Sequence, residues 1–247
     1  MLRRTLPRLS AYSWKDVTYA PSTSDPAHAK QMLDIAIPRR IPPRAKLPTC
    51  VFVHGGSWQR GDKNGGLNAG IDEAFVRAGF LGVSVNYRLS PEVQHPEHVK
   101  DVAAALVLIG HSAGAHLVMQ VLADPQYLRD AGLPKRADTF VKGAVGISGV
   151  YNIVRIANTA FYGSLVVNPA FGERVEQWRE ASIASTVTTV GPSSPLANIP
   201  LMLVNAQEDF HLQEDAQELE KWLVAAGNLM KAFVCDVADP TELAPLP

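Results

Sequence analysis

The stretch Val107-Leu-Ile-Gly110-His-Ser112-Ala-Gly114, followed by Ala115, Leu117, Val118, Val121 and Leu122, constrains the fold of this 247-residue chain more than any other segment. It reads as a short apolar strand, a turn bounded by glycines with a serine at its apex, and an apolar helix over 112–123. The pattern G-x-S-x-G needs a very sharp strand-to-helix turn, in which a β-carbon at the flanking positions would meet neighbouring backbone. The serine then stands at a helix N-terminus, where free N–H groups and the helix dipole favour developing negative charge.

The rest of the chain supplies the sheet such a turn requires. Strands are expected at 32–38, 49–53, 80–87, 107–110, 141–148, 200–205 and 230–236, and helices at 69–79, 96–105, 112–123 and 212–227. Apolar strands alternating with helices imply a mostly parallel sheet covered on both faces. Ligands of such sheets sit beyond the carboxyl ends of the strands. Both glycine-bearing motifs, 54–58 and 110–114, fall there. Residues 1–29 read as an N-terminal extension and 150–197 as an irregular, aromatic, cap-like insertion (Tyr151, Phe161, Tyr162, Phe171, Trp178) in a single domain spanning 1–247.

Composition narrows the function classes. A net charge of -1 leaves no basic footprint for nucleic acid. No apolar run approaches the ~20 residues of a membrane span. Cys50 and Cys235 have no partner at metal-ligand spacing, no disulfide framework is visible, and a reducing, cytoplasmic setting is expected. Residues 1–10 are Arg-rich and acid-free, which leaves a mitochondrial presequence as the alternative to an untidy extension. No metal and no cofactor are expected, and oligomeric state is left open.

His54-Gly55-Gly56-Ser57-Trp58 ends the strand at 49–53. Backbone without side chains can approach a substrate oxygen, so the N–H groups of Gly55 and Gly56, with that of Ala113, form a candidate oxyanion site beside Ser112. Trp58 is the candidate substrate-facing aromatic.

In sequence order, HGGSW, Gly61-Asp62-Lys63, Val85-Asn-Tyr-Arg-Leu-Ser-Pro91 and GHSAGAHL at 110–117 resemble the HGG-type α/β-hydrolases, most closely their kynurenine formamidase (arylformamidase) and carboxylesterase branch. The resemblance runs from about residue 30 to 235. It implies an α/β-hydrolase fold with an eight-stranded sheet, hydrolysis of small esters or aryl formamides without metal or cofactor, and a triad in the order Ser, Asp, His. Residue by residue, Ser112 matches the nucleophile. Asp209, after the strand Leu201-Met-Leu-Val-Asn-Ala, matches the acid, with Glu208 as the fallback.

Two departures bear on turnover. The family's histidine follows the last strand, but residues 237–247 contain none, and His211 is left as the base, on the same short loop as the acid. Residues 101–110 join helix to strand with little room for the crossover, which reads as a deletion. The chain is therefore expected to hydrolyse slowly, and the competing reading is a protein that binds without turnover. Of the other histidines, His54 shapes its glycine loop, His111 and His116 flank the nucleophile, and His28, His95 and His98 are expected in loops or on a helix surface.

Overall fold

Strands rich in valine and leucine, each broken by glycine, proline or polar residues, build one sheet. The computed structural model describes residues 11–19, 30–40, 48–105, 109–133, 141, 143–159, 162–190, 194–206, 212–225 and 233–237. The strands are β1 (Ala11–Thr18), β2 (Met32–Pro38), β3 (Thr49–Val53), β4 (Leu81–Val85), β5 (Ile109–His111), β6 (Ala144–Ile147), β7 (Leu201–Ala206) and β8 (Phe233–Val237). They form an eight-stranded sheet in the order β1-β2-β4-β3-β5-β6-β7-β8. Pairings β1–β2 and β2–β4 are antiparallel, and all others are parallel. The chain turns one way from β3 to β4 and then returns to β3's other side for β5. That reversal opens a crevice beyond the ends of β3 and β5.

The helices are α1 (Ile71–Arg77), α2 (Glu97–Ala105), α3 (Ala113–Ala123), α4 (Pro125–Asp130), α5 (Ile153–Ala157), α6 (Asn168–Phe171), α7 (Val175–Ala181), α8 (Ile183–Val190) and α9 (Leu212–Ala225). Every residue of α3 is buried, as expected of a helix apolar on nearly all sides. It packs against β5, β6, α2 and α8. Asp124 starts α4 by accepting from the N–H of Gln126 at 2.8 Å, with Pro125 in the first turn.

Two expectations need correction. Part of the supposed extension at 1–29 is β1, an edge strand paired with β2. The stretch 150–197 is largely helical, not irregular: α5, a π-turn over Gly163–Val167, α6, α7 and α8 follow one another. Its apolar residues recur at short helical spacing, with Ile153 and Ile156, Val167, Ala170 and Phe171, then Ile183 and Val187 all buried. The strand carrying the serine turn is described from Ile109 and helix α2 through Ala105; residues 106–108, which hold the expected strand start and the tight junction, lie outside the described residues.

β1 is held by charge rather than by an apolar face. Lys15 Nζ lies 2.8 Å from Asp72 on α1 and 3.2 Å from Asp34 on β2. Lys63 Nζ, from the loop after β3, lies 2.7 Å from Asp16 and 3.0 Å from the same Asp34. Burial opposes ionisation of Asp34, but the N–H of Asp16 and the two ammonium groups outweigh it and hold the carboxyl below its ordinary range. Asp34→Ala leaves Lys63 buried beside Asp16 alone, and breaking such a pair costs about 3 kcal/mol. Urea unfolding of this variant is expected to show a loss of that size; a change under about 0.5 kcal/mol, the ordinary range of surface substitutions, would show that the cluster adds nothing.

Candidate active site

The register of β3 on β5 sets the site. Phe52 pairs with Ile109 and Val53 with Gly110. The two strands therefore end side by side, and the loops that continue them, 54–58 and 111–114, are forced into contact. A β-carbon built on Gly55 would lie 2.8 Å from both Ser112 Cβ and the carbonyl oxygen of His111. On Gly114 it would strike the carbonyl oxygens of Val53 and His54. Real β-carbons do not come that close, so each loop demands glycine in the other.

Ser112 itself is strained. Its φ of 53° and ψ of −120° precede α3 directly, a backbone region few side chains adopt. Its N–H donates to Ile147 O on β6 at 2.8 Å, and its carbonyl accepts from Ala115 and His116 at 3.0 and 3.2 Å. The elbow is thus clamped from three sides, while the serine side chain makes no capping bond to its own helix and remains partly exposed. Opposite it, Gly56 (φ 124°), Ser57 (φ 55°) and Trp58 (φ 58°) wind the loop back, and Gly56 O accepts from Gln59 and Arg60 at 3.1 and 3.0 Å. Among the described residues no backbone carbonyl accepts from the N–H groups of Gly55, Gly56 or Ala113.

The floor beneath is polar and tightly held. His54 is fully buried and stacks on Tyr87 with ring centroids 4.5 Å apart. Its Nδ1 lies 2.7 Å from Gly55 O, and the Tyr87 hydroxyl donates to His54 O at 3.2 Å. Asn86 ties down the next turn, donating to Asp62 at 2.9 Å and accepting from the Lys63 N–H. Trp58 is 1 % exposed and packs edge-on against His116 and Phe171, with centroids 5.3 and 4.8 Å away. It supports the loop from below rather than facing an open cleft.

His98, expected on a surface, is fully buried with Nε2 3.0 Å from Ser90 Oγ. His116 is also fully buried, its Nε2 2.8 Å from Ala181 O. Burial pushes both down, His98 to about 3 and His116 to about 4, and does the same to His54 (about 4) and His95 (about 3). These side chains are held neutral, and sequence reasoning missed the burial of His98 because a polar residue on a buried face breaks the apolar pattern. Glu208, Asp209 and His211 lie outside the described residues.

Two outcomes are expected. Ser112→Gly relieves a positive φ at the elbow and raises stability by about 1 kcal/mol in urea unfolding; equal or lower stability would mean the elbow stores no strain. The buried histidines must take up protons on unfolding, so their stabilisation is complete above their unfolded pKa of about 6.5 and is lost as pH falls toward about 4. Asp215, whose carboxyl burial raises, opposes this, but it is one group against four. The urea midpoint is expected to fall between pH 7 and pH 5, and an unchanged midpoint would contradict neutral burial.

This geometry has counterparts. The BD-FAE family model matches residues 33–223. The chain is 28% identical to the kynurenine formamidase of Meyerozyma guilliermondii over 182 residues, which is 68% of each protein. It is 29% identical to esterase LipC of Mycobacterium tuberculosis over 213 residues, covering 75% of this chain but only 49% of LipC. Among solved structures, esterase B of Lactobacillus rhamnosis superposes with a TM-score of 0.71 at 20% identity, over 94% of this chain and 77% of that one. The α/β-hydrolase fold inferred from the glycine motifs is therefore the observed one, and the chain belongs to the BD-FAE family.

Proposed function

We propose that this chain is a serine hydrolase of small carboxylic esters or aryl formamides, with Ser112 as its nucleophile. The observation that carries the reading is the contact between the strained Ser112 elbow and the Gly55 backbone. The Ser112 hydroxyl is partly exposed, and no described backbone carbonyl engages the N–H groups of Gly55, Gly56 or Ala113. The kynurenine formamidases and esterases among its relatives support the same substrate classes.

In this reading the Ser112 hydroxyl adds to the carbonyl carbon while a base takes its proton. The C=O electron pair moves onto oxygen, where the N–H groups of Gly55, Gly56 and Ala113 receive it. Losing one such donor costs about 3 kcal/mol of transition-state stabilisation. Collapse breaks the ester or formamide bond, the leaving alcohol or amine recovers the proton, and water repeats the sequence to release the acid. Side chains and backbone suffice for every step. Trp58 backs the loop that carries two of the donors. α5 to α8 form the cap over the acyl or aryl side, which suits a small, neutral, partly apolar substrate.

We assign Asp209 as the acid and His211 as the base. His54, His98 and His116 each have a ring nitrogen in a structural contact and are held neutral by burial. An acid and a base on one short loop orient poorly toward each other. Turnover is therefore expected to be at least about a hundredfold slower than in the kynurenine formamidases, the lower range of general-base assistance.

A fluorophosphonate probe followed by peptide mass spectrometry is expected to label Ser112 and to leave Ser112→Ala unlabelled. With p-nitrophenyl acetate and N-formylkynurenine, His211→Ala is expected to lower kcat by about tenfold or more. If the probe labels another residue, the nucleophile is misassigned. Labelling at Ser112 without turnover of any ester or formamide would identify a pocket that binds without hydrolysing. Wild-type rates equal to those of the relatives would refute impaired catalysis.

A further inference from the structure

A second cavity of about 540 Å³ opens beside α3, within the range of small-molecule sites. Ser112 and the 54–58 loop are not among its walls. Gln120, eight residues beyond Ser112 on α3 and so about 12 Å along the axis, lines it. Phe171 and His95 line it too, and their rings pack on those of Trp58 and His116.

Gln120 is 2 % exposed, and its amide orientation is fixed. Its Nε2 donates to Thr186 Oγ1 at 3.0 Å, and that hydroxyl in turn donates to Ser182 O at 3.3 Å. The amide nitrogen is therefore the end on Thr186. The Tyr127 hydroxyl comes near this amide, but the carbonyl oxygen Oε1 is buried without a partner in hydrogen-bond geometry among the described residues. A buried acceptor without a well-placed donor is unfavourable, and a ligand N–H in the cavity would relieve it.

The same corner is acidic. Asp124, Tyr127 and Glu180 all line it. Burial, followed by the charge of Asp124 and those of Asp130 and Glu180, outweighs the opposing effect of Gln120 and pushes the Tyr127 hydroxyl up to about 12. The cavity wall also includes Arg174 and Arg179, both exposed and neither paired with a carboxylate among the described residues. Its ionised lining thus has two acids and two guanidinium groups, with an apolar surface of Phe171 and neutral His95 between.

We propose that this cavity binds a small zwitterion, an amino acid with an apolar or aromatic side chain. Its ammonium group would meet Gln120 Oε1 and the Asp124 carboxylate, and its carboxylate would meet Arg174 and Arg179. The side chain would lie against Phe171. Ser112 does not line this cavity, and the proposal does not rest on the serine chemistry.

Calorimetric titration of the full chain with L-phenylalanine tests this. Wild type is expected to bind saturably, and Ser112→Ala to bind equally well. Phenethylamine, which lacks the carboxylate, and N-acetyl-L-phenylalanine, which lacks the ammonium group, are each expected to bind at least about tenfold more weakly, the effect of losing one charge-assisted contact. Asp124→Asn retains the α4 cap, because asparagine caps as well as aspartate, and is expected to weaken L-phenylalanine binding by a similar factor with an unchanged melting temperature. Arg174→Ala combined with Arg179→Ala is expected to weaken L-phenylalanine but not phenethylamine. No saturable L-phenylalanine binding by wild type up to about 10 mM would overturn the proposal. So would equal affinity for the N-acetyl compound, or unchanged affinity in both the Asp124 and the double-arginine variants.

Discussion

The approach of Gly55 to Ser112 is the contact on which the site depends. It arises from a register, Val53 opposite Gly110, that any two parallel strands of this length could adopt. The segments after the two strands single it out: β3 continues into a glycine loop and β5 into a serine elbow. With a side chain at 55 the two could not coexist, since the added carbon would lie within 2.8 Å of Ser112 Cβ. The register of β3 on β5 and the glycines of both loops therefore specify one another.

That arrangement needs anchoring on its far side, because a loop with three successive positive-φ residues at 56–58 has little propensity to hold its own shape. Two polar constructions supply the anchor. His54 stacks on Tyr87 beneath the loop. Asn86 and Lys63 then tie the next turn to the cluster of Asp16, Asp34, Lys15 and Asp72. Replacing such buried groups by apolar ones is often neutral or stabilising, so stability alone does not account for them. Their geometric effect is clear: they fix the loop by direction, which apolar packing does not do.

How much of this was legible in the sequence depended on how local its cause is. The identities of Gly55 and Gly114 report a steric demand of the two loops on each other, so the motifs located that loop contact and the fold together. The helices α1, α2, α3 and α9 were legible through apolar spacing over two or more turns. β1 was not, because neither of its faces is buried: Tyr12 and Trp14 are 52 % and 49 % exposed, and its ties are charges on residues distant in sequence. The helices between 150 and 190 are too short for periodicity to stand out. They are held from outside, for example by the buried Asp215 accepting from the N–H groups of Tyr151 and Asn152 and from Arg155. His98 read as a surface residue because its role, a bond to Ser90 across a loop, has no sequence signature.

The elbow and the base differ in how much they demand of the surrounding chain. The position of Ser112 is over-determined: strand register, two glycine contacts, a bond to Ile147 and the start of a fully buried helix all specify it. A strained φ at Ser112 persists only because so many independent constraints agree. A general base needs much less: one imidazole within hydrogen-bond reach, oriented by one acceptor. A chain of this architecture can therefore keep the glycine loop and the serine elbow under structural constraint alone. The presence of the elbow argues for the fold, and the proposed chemistry makes a separate demand that the fold does not enforce.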